Sequence, residues 1–131
     1  MKILVVDDNK LLADCIKIIL EGEDYEVRSA NDGTEGYLEY LAFEPDLIIT
    51  DLNMPSESGV ELMRHIRTHD PYAKAIYMSA DLEEFKPLLE EEKMKYRVSL
   101  LSKPFSMTEL TNLLSQYQYT STLHNRDEAN A

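Results

Sequence analysis

The sequence contains a single cysteine, Cys15, so no disulfide can form within the chain. A lone thiol is typical of proteins from a reducing compartment, and the first residues, Met-Lys-Ile-Leu-Val-Val, lack the layout of a signal peptide. No apolar run approaches the roughly 18 residues that a membrane-spanning helix needs. These shortages together predict a cytoplasmic protein that does not span a membrane.

Basic residues are also scarce, because 13 Lys and Arg stand against 25 Asp and Glu and give a net charge of −12. Nucleic-acid binding needs clustered cations that contact phosphates, so we expect no direct binding of DNA or RNA. The acidic balance also disfavours anionic membrane surfaces and favours a partner with a basic patch. The 131 residues, 44% of them hydrophobic, are enough for one domain with one sizeable core.

Apolar runs that are too short for helices recur along the chain and predict five β-strands. We place these strands at residues 2–6, 25–29, 47–50, 75–78 and 98–102. Amphipathic segments lie between the runs. Strands that alternate with helices in this way indicate an α/β fold with a doubly wound parallel sheet and right-handed crossovers.

The amphipathic segments predict helices over about residues 10–21 and 57–68, a weaker one whose inner side carries Tyr37, Leu38 and Leu41, and two later ones. For residues 82–97 two alternatives stay open, a helix that starts near Lys86 or a longer one kinked at Pro87. The last helix is predicted to open with the capping box Ser106-Met107-Thr108-Glu109.

Three side-chain environments follow from the same patterns. Cys15 shares the apolar stripe of the first helix with Leu12, Ile16, Ile19 and Leu20, so we expect a packed core thiol. The run Glu90-Glu91-Glu92 is expected to be a solvated face. The polar residues 118–131 contain no core positions and are interpreted as a frayed tail or a linker stub.

Polar residues follow four of the five predicted strands: Asp7 and Asp8, Asp51, Ser79 and Lys103. An isolated Asp at the end of a strand usually does no more than begin a turn. The carboxyl ends of parallel strands meet at one edge of a sheet, however, so we expect these residues to lie together. Three carboxylates placed together repel one another, so the cluster predicts a bound cation, and all-oxygen ligands suit Mg²⁺. The lysine adds a compact positive charge that can approach a phosphoryl oxygen.

This spaced set of residues resembles the receiver domain of two-component response regulators. The matching residues are Asp7-Asp8, the segment Asp51-Leu52-Asn53-Met54-Pro55 with Gly59, Ser79-Ala80 and Lys103-Pro104-Phe105. The resemblance runs from Lys2 to about Tyr117. It implies a flavodoxin-like, five-stranded parallel sheet of order 2-1-3-4-5 with five helices in three layers. It also implies a receiver domain at residues 1–117, followed by the tail.

The resemblance further implies that Asp51 accepts a phosphoryl group from a histidine kinase, a histidine phosphotransfer protein or a small phosphodonor. It implies Mg²⁺ as the cofactor, bound by Asp8, Asp51 and the backbone carbonyl of Asn53, with Asp7 assisting through water. Such a module promotes its own phosphorylation and dephosphorylation but is a signalling domain and not an enzyme with a separate substrate.

The remaining site residues have implied roles as well. Lys103 pairs with the phosphoryl group, the Ser79 hydroxyl swings in to hydrogen-bond it, and Ala80 admits the donor and offers its amide. The peptide bond between Lys103 and Pro104 is expected to be cis. One position departs from the family pattern: Leu100 stands where a Tyr or Phe usually lies, three residues before the lysine.

Two other functions share part of this pattern. A dehalogenase-like phosphatase also uses a strand-end Asp, but it needs a second acid two residues later, where this chain has Asn53. A degenerate, non-phosphorylated receiver is disfavoured because every site position is filled. The three histidines, His65, His69 and His124, are expected to be surface residues. The output partner stays open: the chain is either a stand-alone regulator or lacks a C-terminal output domain.

Overall fold

The structure is a computed structural model in which residues 1–117 are described. The strands are β1 (Lys2–Val6), β2 (Glu26–Ala30), β3 (Leu47–Asp51), β4 (Ala75–Ser79) and β5 (Val98–Ser102). They form one parallel sheet in the order β2-β1-β3-β4-β5. This confirms the predicted fold, with strand boundaries that differ from the predictions by one residue at most.

The helices are α1 (Lys10–Gly22), α2 (Gly33–Phe43), α3 (Gly59–Ile66), α4 (Lys86–Lys95) and α5 (residues 107–117 as described). A 3₁₀ turn at Glu83–Phe85 precedes α4. Pro87 therefore lies in the first turn of α4, where its missing amide hydrogen would have no intrahelical acceptor. Of the two alternatives for this segment, the helix that starts near Lys86 is the one observed.

The sheet separates two apolar cores because successive side chains of a strand point to opposite faces. In β1, Leu4 and Val6 face a core shared with α2, α3 and α4, whereas Ile3 and Val5 face α1 and α5. The central strands β3 and β4 are buried along their whole length. The result is the predicted three-layer sandwich, and none of the helices within residues 1–117 is long and apolar enough to cross a bilayer.

Local sequence explains the helix starts. Asn9 Oδ1 accepts a hydrogen bond from the amide of Leu12, and the side chain of Ser58 accepts one from Glu61. Ser106 Oγ accepts one from the amide of Glu109, which confirms the side-chain half of the predicted capping box. Helix α3 is shorter at both ends than the 57–68 predicted, because its cap is Ser58 and the chain turns out of the helix after Ile66.

The prediction for Cys15 is wrong, because this side chain is exposed. Helix α1 buries Ala13, Ile16 and Leu20, so its inward face is rotated from the predicted stripe. Ile19 is 37% exposed for the same reason. The small side chain of Ala13 lets the helix lie against the sheet, and the broad apolar surface of α1 contains more hydrophobic residues than the sheet can cover.

Helix α2 also packs with a face other than the predicted one. Leu38 and Leu41 are 60% and 45% exposed, while Gly36, Tyr40 and Phe43 are buried and Tyr37 is half-buried. A Cβ on Gly36 would lie 3.0 Å from a methyl group of Val6, so glycine permits a close approach of α2 to β1.

The acidic run in α4 is not a uniform solvated face. Glu90 and Glu91 are exposed as predicted, but Glu92 is only 5% exposed. Its carboxylate contacts Arg67 and Tyr77, so the burial of this charge is compensated by specific partners that lie far away in the sequence. The predicted frayed tail, residues 118–131, lies outside the described residues, as does His124.

Candidate functional site

Four strand ends converge at the carboxyl edge of the sheet. Asp7 follows β1, Asp51 is the last residue of β3, Ser79 is the last residue of β4, and Lys103 follows β5. Since β1 and β3 are neighbours, with Val6 paired to Thr50, the two aspartates lie side by side. The structure therefore brings these four strand ends to one edge of the sheet, as the parallel arrangement predicted.

Three carboxylates form the acidic cluster, which we define as Asp7, Asp8 and Asp51. Oxygens from all three lie within 4.8 Å of one another. Asp7 is fully buried and Asp51 is 6% exposed, whereas Asp8 is exposed to solvent. The cluster thus has a closed inner side, formed by the sheet, and an open outer side through which a ligand can enter.

Lys103 reaches into the cluster from the loop after β5. Its Nζ lies 2.8 Å from Asp7 Oδ2 and 3.2 Å from Asp51 Oδ2. The backbone of the same residue is held as well, because its amide donates to the Ser79 carbonyl at 2.8 Å. The peptide bond to Pro104 is cis, as the family resemblance implied.

Backbone amides orient the two buried carboxylates. The amide of Asn9 donates to Asp7 Oδ1 at 2.9 Å, and the amide of Asn53 donates to Asp51 Oδ1 at 3.2 Å. Each aspartate therefore holds one oxygen against the chain that follows it and offers the other to Lys103. A Cβ at Gly59 would collide with the backbone oxygen of Asp51, so the close return of the chain over β3 requires glycine.

The electrostatics of the site follow from this enclosure. Burial raises the pKa of the Asp51 carboxyl; Lys103 opposes the rise, and the charge of Asp7 adds to it. For Lys103, burial by itself lowers the pKa of the ammonium group. The hydrogen bond to Asp7 and the charge of Asp51 outweigh burial, so the pKa of Lys103 is raised overall and the group stays protonated at neutral pH.

Ser79 and Ala80 lie on the β4 side of the site. Ser79 is 1% exposed, and its Oγ accepts a hydrogen bond from the amide of Asp81 at 3.0 Å. Ala80 is exposed beside it. In this arrangement the Ser79 hydroxyl fixes the first residues of the loop that leads into α4. Among the hydrogen bonds of residues 1–117, none joins this hydroxyl to the acidic cluster.

The acidic cluster fits a divalent cation. Within the described residues it is the group of acidic, histidine or cysteine side chains whose ligand atoms are close enough for a metal ion. Its donors are all carboxylate oxygens, which is the chemistry that Mg²⁺ prefers, and Asp8 faces solvent where the ion would keep its waters. One ammonium group from Lys103 leaves the three carboxylates with excess negative charge for the metal to neutralise.

Asn9 was missed as a site residue by sequence reasoning. It caps α1 with its side chain and orients Asp7 with its amide. An Asn directly before an amphipathic segment is a recognisable N-cap signal, so the position of this amide could have been anticipated. His65 and His69 are exposed and lie on α3 and in the loop after it, which confirms the expectation of surface histidines for these two.

Leu100 occupies the position where the resemblance leads one to expect an aromatic ring. It lies in β5, is partly buried, and packs against the core shared with α2, α3 and α4. The side chain is entirely apolar, so it offers no hydroxyl to the surface and no ring to move between two positions. The replacement of the usual aromatic residue by Leu100 therefore affects the side of the sheet that faces α4.

Comparisons with known proteins show which family the chain is similar to. A family model described as the response regulator receiver domain matches residues 3–115. The chemotaxis protein CheY of Listeria monocytogenes is 37% identical over 81 residues, which cover 61% of this chain and 68% of that protein. The protein CcdB of Bacillus subtilis is 32% identical over 116 residues, which cover 88% of this chain and 95% of that protein.

Solved structures give the same result. The Vibrio cholerae chemotaxis protein CheY4 superposes with a TM-score of 0.80 at 27% identity, covering 88% of this chain and 97% of that one. The response regulator TrrA of Thermotoga maritima, in complex with Mg²⁺ and BeF, has a TM-score of 0.76 at 29% identity with the same coverage. By contrast, this chain spans only 42% to 48% of the length of several other relatives, transcriptional and respiration regulators among them.

Proposed function

The chain belongs to the response regulator receiver domain family, for which a phosphoacceptor role is typical, and we propose that Asp51 is its phosphoryl acceptor. The observation that carries the proposal is the acidic cluster itself. Three carboxylates lie within 4.8 Å of one another, and Lys103 bonds to two of them. Such a site favours a bound cation and would then present a nucleophilic oxygen beside two cations, the metal ion and the Lys103 ammonium.

The reaction is a phosphoryl transfer to a carboxylate. An Asp51 oxygen attacks phosphorus, the P–N bond of a phosphohistidine donor breaks, and the leaving imidazole nitrogen keeps the electron pair. With a small donor such as acetyl phosphate, a P–O bond breaks in the same way. In this proposal the Lys103 ammonium stabilises charge on the phosphoryl oxygens, and a loose transfer of this kind depends mainly on positioning and electrostatics.

Mg²⁺ is the proposed cofactor, held by Asp8, Asp51 and the carbonyl of Asn53, with Asp7 acting through water. When bound it would neutralise charge on the phosphoryl oxygens, as divalent ions do in other phosphoryl transfers. The backbone amide of Ala80 and the Ser79 hydroxyl are the proposed hydrogen-bond donors to the phosphoryl oxygens. For Ser79 this requires that Oγ leave the amide of Asp81.

Receiver domains are signalling modules, and the partners of this one are proposals. We propose a sensor histidine kinase or a histidine phosphotransfer protein as the donor and a separate or covalently linked output protein as the target. The receiver domain is assigned to residues 1–117 and a tail or linker to 118–131. A cytoplasmic location stays a prediction that the single cysteine supports.

Phosphorylation of the intact chain tests the acceptor directly. Incubation with acetyl phosphate and Mg²⁺ should add one phosphoryl group by intact-mass spectrometry, and the adduct should be labile to base, as an acyl phosphate is. Asp51→Asn should take up none. The matched control is Asp24→Asn, the same chemical change at an aspartate that precedes β2 and has a φ of 68°, a conformation that Asn also tolerates.

Each possible outcome of this experiment leads to a different conclusion about the acceptor. Uptake by wild type and Asp24→Asn but not by Asp51→Asn supports the assignment. Equal uptake by Asp51→Asn shows that another group accepts the phosphoryl, and an adduct stable to base shows that the product is not an acyl phosphate. Uptake that persists unchanged in EDTA removes Mg²⁺ from the proposal and leaves the acceptor intact.

A further inference from the structure

Asp7 has a protein partner for each of its polar groups. Its amide donates to the carbonyl of Ala30 at 3.1 Å. Its Oδ1 accepts a hydrogen bond from the amide of Asn9 at 2.9 Å, and its Oδ2 accepts one from Lys103 Nζ at 2.8 Å. Its backbone carbonyl accepts one from Nδ2 of Asn31 at 3.3 Å. The side chain of Asn31 is the partner to which the proposed reaction assigns no role.

Asp8, the next residue, is held in a different way. It is exposed, and among the hydrogen bonds of residues 1–117 none holds its carboxylate. The position of this carboxylate therefore depends on the backbone that carries it. The carbonyl of Asp7 and the amide of Asp8 belong to one planar peptide unit. A hydrogen bond to that carbonyl fixes the orientation of the unit and thereby the direction in which the Asp8 side chain leaves the chain.

The register of the sheet brings Asn31 to this carbonyl. Strands β1 and β2 are parallel neighbours, and their last paired residues are Val6 and Ala30. Asp7 and Asn31 are the next residues of the two chains, so they leave the sheet side by side. Asn31 is half-buried there, so solvent has limited access to the hydrogen bond that its side chain makes.

The first turn of α2 holds Asn31 in this position. The amide of Asn31 donates to Glu35 Oε2 at 3.1 Å, and the amide of Glu35 donates to Asp32 Oδ1 at 2.7 Å. The two bonds resemble a capping box, in which a helix start and the residues before it satisfy one another. The side chain of Asn31 is therefore presented to Asp7 from a backbone that is already ordered by the helix.

We propose that Asn31 is a positioning residue for Mg²⁺, because its side-chain amide sets the peptide unit from which the Asp8 carboxylate enters the acidic cluster. The proposal rests on the proposed function and deepens it by adding a residue outside the ligand set to the metal site. A neutral donor suits this position: a cationic donor would compete with the metal for the carboxylates, and a carboxylate could not donate.

The affinity of the full chain for Mg²⁺ tests this role, measured from amide chemical shifts in an Mg²⁺ titration. Removal of an outer partner of a metal ligand typically weakens metal binding by roughly 10- to 100-fold. Asn31 contacts the backbone and not a ligand oxygen, so Asn31→Ala should raise the dissociation constant by about tenfold, at the lower end of that range. Asn31→Leu keeps the branched shape without the donor and should have the same effect. It also replaces Asn31→Ala if that variant does not fold.

The matched control is Asn112→Ala, the same change at an exposed position of α5, which should keep the wild-type dissociation constant. Phosphorylation by acetyl phosphate gives a second readout. In the Asn31 variants the Mg²⁺ concentration for half-maximal rate should rise by the same factor, while the rate at saturating Mg²⁺ stays within about twofold of wild type. A merely structural role would lower the melting temperature in EDTA and leave the Mg²⁺ affinity of the folded protein unchanged.

The results distinguish this inference from the proposed function. Weaker Mg²⁺ binding in both Asn31 variants, but not in Asn112→Ala, supports the positioning role. Unchanged affinity in both variants would overturn it and leave the metal site and the acceptor intact. A lower saturated rate at unchanged affinity would overturn it as well, because Asn31 would then act on phosphoryl transfer. If Asp8→Asn binds Mg²⁺ as tightly as wild type, the acidic cluster is not the metal site and both proposals for the metal fail.

Discussion

The acidic cluster and the buried group formed by Arg67, Tyr77 and Glu92, which we call the Glu92 anchor, are two groups of charged and polar residues built around the same sheet. In the anchor, one carboxylate receives a guanidinium and a hydroxyl at 2.6 Å each, and the charges cancel. In the cluster, three carboxylates share the ammonium of Lys103, and the pKa of Asp51 is raised by its burial. The charges of the anchor balance one another, whereas the acidic cluster keeps an excess of negative charge.

This difference separates a structural use of charge from a functional one. A buried ion pair whose polar atoms all have partners fixes the relative positions of the helices and strands that it joins. Removing one member leaves a buried charge without a partner. An excess of like charge at an open edge destabilises the empty fold and creates affinity for a cation. The following predictions test the contrast, in order of decreasing effect.

Removing one charged residue of the anchor should lower the free energy of unfolding. Glu92→Ala leaves Arg67 buried without its carboxylate, and we expect a loss of about 3–5 kcal/mol of unfolding free energy. Replacing both charges, with Arg67→Met and Glu92→Leu together, should restore most of it, since no charge is then left unpaired. Urea denaturation measures both. Glu91→Ala should stay within about 0.5 kcal/mol of wild type, and a similarly small loss in Glu92→Ala would contradict the comparison.

Mg²⁺ should stabilise the folded protein by binding to the acidic cluster, and we expect no comparable stabilisation from the anchor. At about one hundred times the dissociation constant, binding to the folded state alone contributes roughly 2.7 kcal/mol. For a domain of this size that raises the melting temperature by roughly 8–14 °C. Asp8→Asn removes an open-side ligand and should reduce the shift between EDTA and millimolar Mg²⁺, while Asp24→Asn should keep it. Equal shifts in all three proteins would place the metal elsewhere.

Alkaline pH should act on the anchor through Tyr77. Its pKa is raised in the folded state, so above the ordinary tyrosine value of about 10 the unfolded chain releases a proton that the folded chain keeps. The stabilisation is therefore complete below pH 10 and is lost above it, at about 1.4 kcal/mol per pH unit. Tyr77→Phe should lower this slope between pH 10 and 11, whereas Tyr72→Phe, at an 84% exposed position, should not.

The smallest effect is expected at Asp51 without metal. A folded pKa above the unfolded value means that ionised Asp51 destabilises the fold at neutral pH, and the penalty fades as pH falls through the raised folded pKa. In EDTA at pH 7, Asp51→Asn should gain on the order of 0.5–1 kcal/mol. The advantage over wild type should shrink in melts at lower pH. A gain that does not vary with pH would have a cause other than titration of Asp51.

Sequence patterns predicted which strand ends meet at one edge of the sheet better than they predicted which helix faces are buried. Asp51, Ser79 and Lys103 were located because each adjoins the carboxyl end of a short apolar strand, and parallel strands bring such ends to one edge. Their exposure and hydrogen bonds are decided by the folded structure. Ser79 illustrates the limit: its hydroxyl bonds to the amide of Asp81 and holds the entry to α4, a contact that no motif indicated.

Cys15 and Glu92 show why the burial of individual helix residues could not be predicted from the sequence. Helical periodicity tells which residues share a face, but α1 offers apolar residues over so broad a surface that the buried stripe depends on how Ala13 and Ile16 meet the sheet. Glu92 looked like part of a solvated run, because its partners Arg67 and Tyr77 lie 25 and 15 residues away. Burial of a charge depends on partners brought together only by folding.

The sequence by itself therefore determined the alternation of strands and helices, the parallel sheet and the strand ends at which the acidic cluster forms, since each follows from local periodicity and from the geometry of parallel strands. Tertiary structure alone decided which face of each helix is buried, which of three consecutive glutamates enters the core and which amide holds Ser79. Those outcomes depend on contacts between distant segments, whose free energy exists only when the segments are packed together.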